Sequence, residues 1–190
     1  MVSQLITFLQ LSRSIPEEDQ ALIVSSFEPR IFREGETLFQ GGRICQELFF
    51  ICKGVLRIMG TTEKGIEVTH FFSKENQLCT ILYSFDNHTP ANESIQAACD
   101  AEVLAITRGR LLDLYRRLPY MKELIDKITQ QRLLDKIQTR NAYLGEDSAS
   151  RYKLFLLQQP DIALRVSLKD IASYLGITPQ SLSRIRKNTR

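Results

Sequence analysis

The chain contains no apolar run near the roughly 18 residues a bilayer span requires, so no membrane crossing is expected. Its start, "MVSQLITFLQLSRS", lacks the charged n-region, long apolar centre and small-residue cleavage site of a secretory signal, and a cytoplasmic protein is expected. No C-x-x-C pair occurs among Cys45, Cys52, Cys79 and Cys99. Closely spaced thiolates are what zinc and iron–sulfur sites need, so these four read as buried free thiols of a reducing compartment. His70 and His88 form neither H-x-H nor H-E-x-x-H, and no metal is expected. P-loop and G-x-G-x-x-G patterns are absent, as is any readable Ser/His/Asp or Cys/His arrangement. An enzyme is not expected; a cupin-like barrel would need clustered metal ligands that two isolated histidines do not provide.

What is present is an ordinary globular composition, 190 residues with 43% hydrophobic and 25% charged. The net charge of +3 is unevenly placed. Residues 169–190 hold Lys169, Arg184, Arg186, Lys187 and Arg190 against Asp170 alone, a balance of +4, which leaves −1 for the rest of the chain. A cationic C-terminus suggests a polyanionic partner, although a short basic tail also serves as a solubilising end.

Along the chain, "SIPEEDQALIVSSF" predicts a helix opened by capping-box spacing between Ser14 and Glu17. From about residue 30 to 107 the texture is β-like, in the runs "TLFQ", "ELFFICK", "VLRIM", "IEVTHFF", "QLCTIL", "SIQAAC" and "EVLAIT". Gly35, Gly41, Gly42, Gly54, Gly60 and Gly65 punctuate them, the signature of a sandwich, jelly roll or barrel. "MGTTEKGI" reads as a hairpin turn, and "YSFDNHTPANES" as the longest polar loop and a place to look for an effector. Beyond Ile106 the pattern turns helical: "RGRLLDLYRRL", then a long helix after Pro119. In that helix Met121, Leu124, Ile125, Ile128, Leu134 and Ile137 recur by threes and fours. About 25 residues span about 38 Å, more than a β-domain of this size covers, so the stripe predicts pairing with a second copy. "GEDSAS" is a hinge-like break, followed by the helix "ASRYKLFLLQQ", a stop at Pro160 and a short β-like "ALRV".

The final stretch, "IASYLGITPQSLSRIRK", has the residue types a helix-turn-helix demands. Ile171, Leu175, Ile177, Leu182 and Ile185 hold two helices together and Ala172 is small at their closest approach. Gly176 supplies a positive φ for the turn, while Thr178 and Pro179 open the second helix as cap and first residue. Burial of Leu182 and Ile185 leaves Gln180, Ser181, Arg184 and Lys187 in one outward strip. Gln and Arg are base-reading residues of the major groove, whereas Arg186, Lys187 and Arg190 suit phosphates. A double-stranded DNA operator is the expected partner.

The whole order resembles the Crp/Fnr family of bacterial transcription regulators. The β-region is similar to the cyclic-nucleotide-binding fold in "REGETLFQGGRICQELFFICKGVLRIM", and "SLKDIASYLGITPQSLSRIRK" resembles the family's DNA-binding signature. The resemblance implies an α+β chain: a jelly-roll-like sensor domain (a double-stranded β-helix) over 1–116, a dimerisation helix over 117–144 and a helix-turn-helix domain over 145–190. It implies a homodimer on a two-fold operator, RNA polymerase as a further partner, and base contacts by Gln180 and Arg184, with Thr178 capping the recognition helix and Ser181 and Lys187 flanking. The sequence stops just past that helix, so no wing strand is expected there.

Two departures bear on the effector. Relatives that bind cyclic AMP carry a Gly-Glu pair whose Glu engages the ribose, then an Arg-Ser/Thr step whose Arg neutralises the phosphate. Here "SKENQLC" and "PANESIQAA" stand in those regions. By the resemblance Glu75, Asn92, Glu93 and Ser94 mark the effector pocket, yet Glu75 lacks its glycine, Ala91 or Asn92 replaces the arginine, and Glu93 adds negative charge. A buried anion without a counter-charge costs several kcal/mol, so weak or no binding of cyclic nucleotides is predicted and the effector stays unidentified. Residues 1–44 also hold no cysteine for the N-terminal cluster of oxygen-sensing relatives. The competing reading is a small-molecule-binding roll whose C-terminal helices contact protein.

Overall fold

The computed structural model describes residues 1–188; Arg190, expected at phosphate, lies outside them. Two N-terminal helices, α1 (Val2–Gln10) and α2 (Glu17–Ser25), precede eight strands. These are β1 (Glu28–Phe32), β2 (Thr37–Phe39), β3 (Glu47–Lys53), β4 (Leu56–Thr61), β5 (Glu67–Ser73), β6 (Leu78–Cys79), β7 (Ser94–Ala97) and β8 (Ala101–Thr107). A short helix, α3 (Leu82–Asn87), interrupts them. The strands make two four-stranded antiparallel sheets, ordered β1-β8-β3-β6 and β2-β7-β4-β5.

The two central strands of the first sheet are apolar on both faces, and the alternation explains why. Phe49, Ile51, Val103 and Ala105 point into the roll against Leu56, Ile58 and Ile95 of the second sheet. Their neighbours Leu48, Phe50, Leu104 and Ile106 point outward and meet helices instead. Helix α1 covers part of that outer face with Leu5 and Leu9, both fully buried. This helix was not expected, although Leu5, Ile6 and Leu9 carry the spacing of an apolar face. Helix α2 forms without the capping box: Pro16 is its N-cap and no side chain caps it.

After β8, α4 (Arg108–Arg117) leads through Pro119 into the long helix α5 (Tyr120–Tyr143). Its apolar stripe divides. Met121, Leu124, Ile125 and Ile128 are buried in the chain's own core with Leu111 and Leu114, which corrects their expected role as dimer contacts: the roll already covers them. Only beyond Gln131 is the stripe open, with Leu133, Leu134 and Ile137 at 48%, 53% and 48% exposure.

The remaining helices are α6 (Ser148–Gln158), α7 (Pro160–Ala163), α8 (Leu168–Leu175) and α9 (Pro179–Asn188). Two expectations fail here. Pro160 opens a helical turn rather than only ending one, and "ALRV" is the last residue of α7 and the turn after it, because Ile162 and Val166 drop into a third core with Phe155, Ile171 and Leu182. That core includes Val55, Phe72 and Ala98 of the roll, so the C-terminal unit packs on the β-domain directly. Among the described residues no helix is long and apolar enough to cross a membrane and no group of side chains could hold a metal.

Candidate functional site

Two helices, each capped by a hydroxyl, build the C-terminal surface. Ser167 Oγ accepts from the Asp170 amide at 3.1 Å and starts α8. Gly176 ends it in the left-handed region at φ 66°, the conformation that favours glycine. Thr178 Oγ1 then accepts from the Ser181 amide at 3.1 Å and lies 3.0 Å from the Ser181 hydroxyl. Those bonds commit both residues to starting α9. With Leu182 fully buried and Ile185 half-buried, the opposite face presents Gln180, Arg184 and Lys187, all exposed. Among the described residues none of these three side chains has a hydrogen bond or ion pair. Arg186 is half-buried at the edge of the strip.

Helix α8 behind this face is fastened to the roll by polar groups. Asp170, 8% exposed, meets the guanidinium of Arg57 on β4, 6% exposed. Arg57 also donates to Gln96 Oε1 at 2.8 Å and Thr69 Oγ1 at 3.2 Å and lies 3.3 Å from Glu67. One turn on, Ser173 Oγ accepts from the Thr69 amide at 2.9 Å. Sequence reading counted Asp170 only as the lone acid of a basic tail and passed over Arg57. The available signal was a charge inside the apolar run "VLRIM".

Glu75, expected at an effector, belongs to this fastening and does not line the cavity between the roll and α5. Its carboxylate accepts from the Gly54 amide at 2.7 Å and pairs with Arg165 at 2.5 and 3.1 Å. Burial pushes its pKa up, but Arg165 and the backbone amides outweigh that and hold it below the usual carboxylate range. Lys74 adds an exposed pair with Asp161 at 2.7 Å.

Between the roll and α5 lies a cavity of about 470 Å³. Ile58, Phe71, Leu78 and Ile81 give it an apolar floor, and α5 closes it with Leu133 and Ile137. Of the four residues expected at an effector, only Glu93 lines it. Ser94 is turned away, its hydroxyl accepting from the Gly41 amide at 2.9 Å. Asn92 instead gives its amide to the Tyr83 hydroxyl at 3.0 Å, and that hydroxyl donates to Glu93 at 2.9 Å. The expected loop around Tyr83 is helix α3, and it contributes Leu82, Tyr83 and Asp86 to the wall. Burial raises the pKa of Asp86, with Asp126 adding to it.

The cations of the cavity come from α5: Arg132, Lys136 and Arg140, four residues apart. Sequence reading missed them, though their spacing was visible. Arg132 Nη2 donates to Gln77 at 2.8 Å, while its Nε is buried without a partner. The Lys136 ammonium sits 4.8 Å from the centre of the Phe71 ring and, among the described residues, has no carboxylate partner. Burial lowers the proton affinity of both.

Residues 29–118 match the family model of the cyclic nucleotide-binding domain. The chain is 24% identical over 179 residues to the cyclic AMP receptor protein of Thermus thermophilus, an alignment covering 92% of this chain and 82% of that one. Its fold is similar to that of the c-di-GMP-responsive global regulator CLP of Xanthomonas campestris, with a TM-score of 0.71 at 15% identity over 92% and 91% of the two chains. A transcriptional regulator assigned to the Crp/Fnr family from Eubacterium rectale superposes with a TM-score of 0.72 at 17% identity over 96% and 87%.

Proposed function

We propose that this chain, a transcription regulator of the Crp/Fnr family, binds DNA as a homodimer by placing α9 of each copy in the major groove. One observation carries the reading: a helix fixed at its start by Thr178 presents Gln180, Arg184 and Lys187 outward with no partner of their own among the described residues. Unpaired cations on a rigid rod are what a phosphate backbone and guanine edges reward.

The open half of the α5 stripe supports a dimer. A second α5 over Leu133, Leu134 and Ile137 would remove apolar surface from water that the chain itself leaves uncovered. Leu134→Glu is expected to give monomers in sedimentation; an unchanged dimer would place the interface elsewhere. RNA polymerase is the further partner such a regulator would meet at a promoter.

Cyclic AMP is not the expected effector. The roll side of the cavity offers Glu93 and Asp86 rather than an arginine, and an anion placed there meets charge of its own sign.

The DNA reading is tested by anisotropy on selected duplexes at several salt concentrations. Arg184→Ala should cost about 1–3 kcal/mol on the preferred site and relax sequence preference. Lys187→Ala should weaken all duplexes alike and reduce the salt slope by about one. Equal affinity of both variants and wild type for every duplex would end the assignment.

A further inference from the structure

We infer that Arg151 of α6 is a phosphate-binding residue of the DNA interface, holding the nucleic-acid backbone at the entry end of α9. The inference deepens the DNA reading and rests on it. Charge along α9 is lopsided. Its cations, Arg184, Arg186 and Lys187, all stand in the second half, while the first half reads "PQSLS" and carries none. A rod in the major groove runs between two phosphate backbones, and cations at one end alone leave the other end weakly held.

The missing charge arrives from another helix. Arg151 is the fourth residue of α6, and its guanidinium crosses to the turn between α8 and α9. There Nη1 stands 3.5 Å from the position a Cβ would take on Gly176. Gly176 is exposed and lies two residues before Thr178, the cap of α9. The head of Arg151 is thus at the same end of the helix as exposed Gln180.

Nothing in the described chain uses that charge. Asp147, four residues earlier, has the spacing of a helical ion pair but caps α6 instead, accepting from the Ser150 amide at 2.8 Å. Among the described residues Arg151 has no ion pair. The one hydrogen bond of its side chain, from Nη2 to Ser148 Oγ, is long at 3.4 Å. Its Nε is buried with no acceptor. A buried donor left unpaired costs free energy, so the free chain gains little from this arginine. Its half-buried stem nevertheless sets the guanidinium in place before DNA arrives. A phosphate oxygen at Nη1 makes the charge-assisted bond that the chain leaves unmade. Phosphates are alike at every base pair, so the contact adds affinity and register without sequence information.

The test is fluorescence anisotropy of the full chain on selected and unrelated duplexes across salt concentrations, with thermal denaturation of the chain alone. Arg151→Met is expected to weaken every duplex by a similar factor, roughly tenfold, and to lower the salt slope by about one. Arg151→Lys keeps the charge and should keep most of the slope. Without DNA the Met variant should melt at or above the temperature of the unaltered chain, since it removes a charge that no group answers. A merely structural arginine predicts the opposite pair, a lower melting temperature and an unchanged slope. Single methylphosphonates scanned along a selected duplex give the second measurement. At one phosphate, neutralisation should weaken the unaltered chain as much as Arg151→Met does and weaken the variant no further. A destabilised or unfolded Met variant, an unchanged slope, or additive losses at every phosphate overturns the inference. Binding that depends on Arg184 but not on Arg151 overturns this inference alone, whereas an unaltered chain that binds no duplex overturns the DNA reading and this one with it.

Discussion

Asp170→Ala is expected to destabilise the C-terminal unit by about 3–5 kcal/mol, the range for removing one partner of a buried ion pair. The cost is not the lost attraction alone. Arg57 would remain 6% exposed in the middle of the second sheet, with dipoles from Gln96 and Thr69 and an ion pair at 3.3 Å to Glu67, whose half-exposed carboxylate is screened by water. Since domains are stable by only about 5–15 kcal/mol, such a loss would release α8 and α9 from the roll under native conditions. Hydrogen exchange should show it as lost protection over residues 148–188 with the roll retained, because the two sheets close their own core without α8. Replacing Arg57 and Asp170 together by Met and Leu should recover much of the stability, since a buried pair and a well-packed apolar pair are often near parity. A single-variant loss below about 1 kcal/mol, the scale of an exposed pair, would mean that α8 does not dock on β4 and β5 as described.

How much of this was readable beforehand follows from how far apart the partners lie. Local devices were legible. Of the glycines expected to punctuate strands, Gly35, Gly42, Gly54 and Gly65 stand at positive φ, whereas Gly60 lies inside β4; Gly176 and Thr178 sit where the turn between α8 and α9 requires them. Periodicity told that α5 was amphipathic, but a stripe says only that something covers it. Here the roll covers its first half, which a one-dimensional pattern cannot distinguish from a second helix. The ties of Glu75 were illegible for the same reason. Its partners are 21 and 90 residues away, at Gly54 and Arg165, so no local spacing announces them. "ALRV" has the composition of a strand, yet Arg165 is called to Glu75 and Val166 to the third core, and tertiary contact overrides propensity. The cavity wall was partly visible in Tyr83 and Glu93, whereas the cations opposite needed the fold to bring α5 across the sheet.

Gly54→Ala is the second change expected to be severe, about 3–5 kcal/mol, from backbone strain and overpacking acting at one atom. At φ 92° any L side chain is strained, and here there is no room either. A Cβ at Gly54 would overlap the Asp100 carbonyl oxygen and sit 2.7 Å from Ala101 Cα, backbone atoms where the β7–β8 turn enters β8. Neither can yield as a flexible side chain would. Gly65→Ala is the control, since Gly65 has φ 74° in the β4–β5 hairpin with nothing within 4 Å of its added Cβ, and it should lose only about 1 kcal/mol of backbone strain. Chemical denaturation of the two variants separates strain from crowding by difference. The Gly54 change should also reach further than its own turn. Its amide holds the Glu75 carboxylate that Arg165 grips from the C-terminal unit, so moving Gly54 moves that pair. Gly54→Ala and Arg165→Met should therefore be less than additive by about 0.5–3 kcal/mol, the coupling range of residues in one network. Strict additivity would show that the β3–β4 turn and the C-terminal unit are fastened independently, and that Glu75 does not connect them.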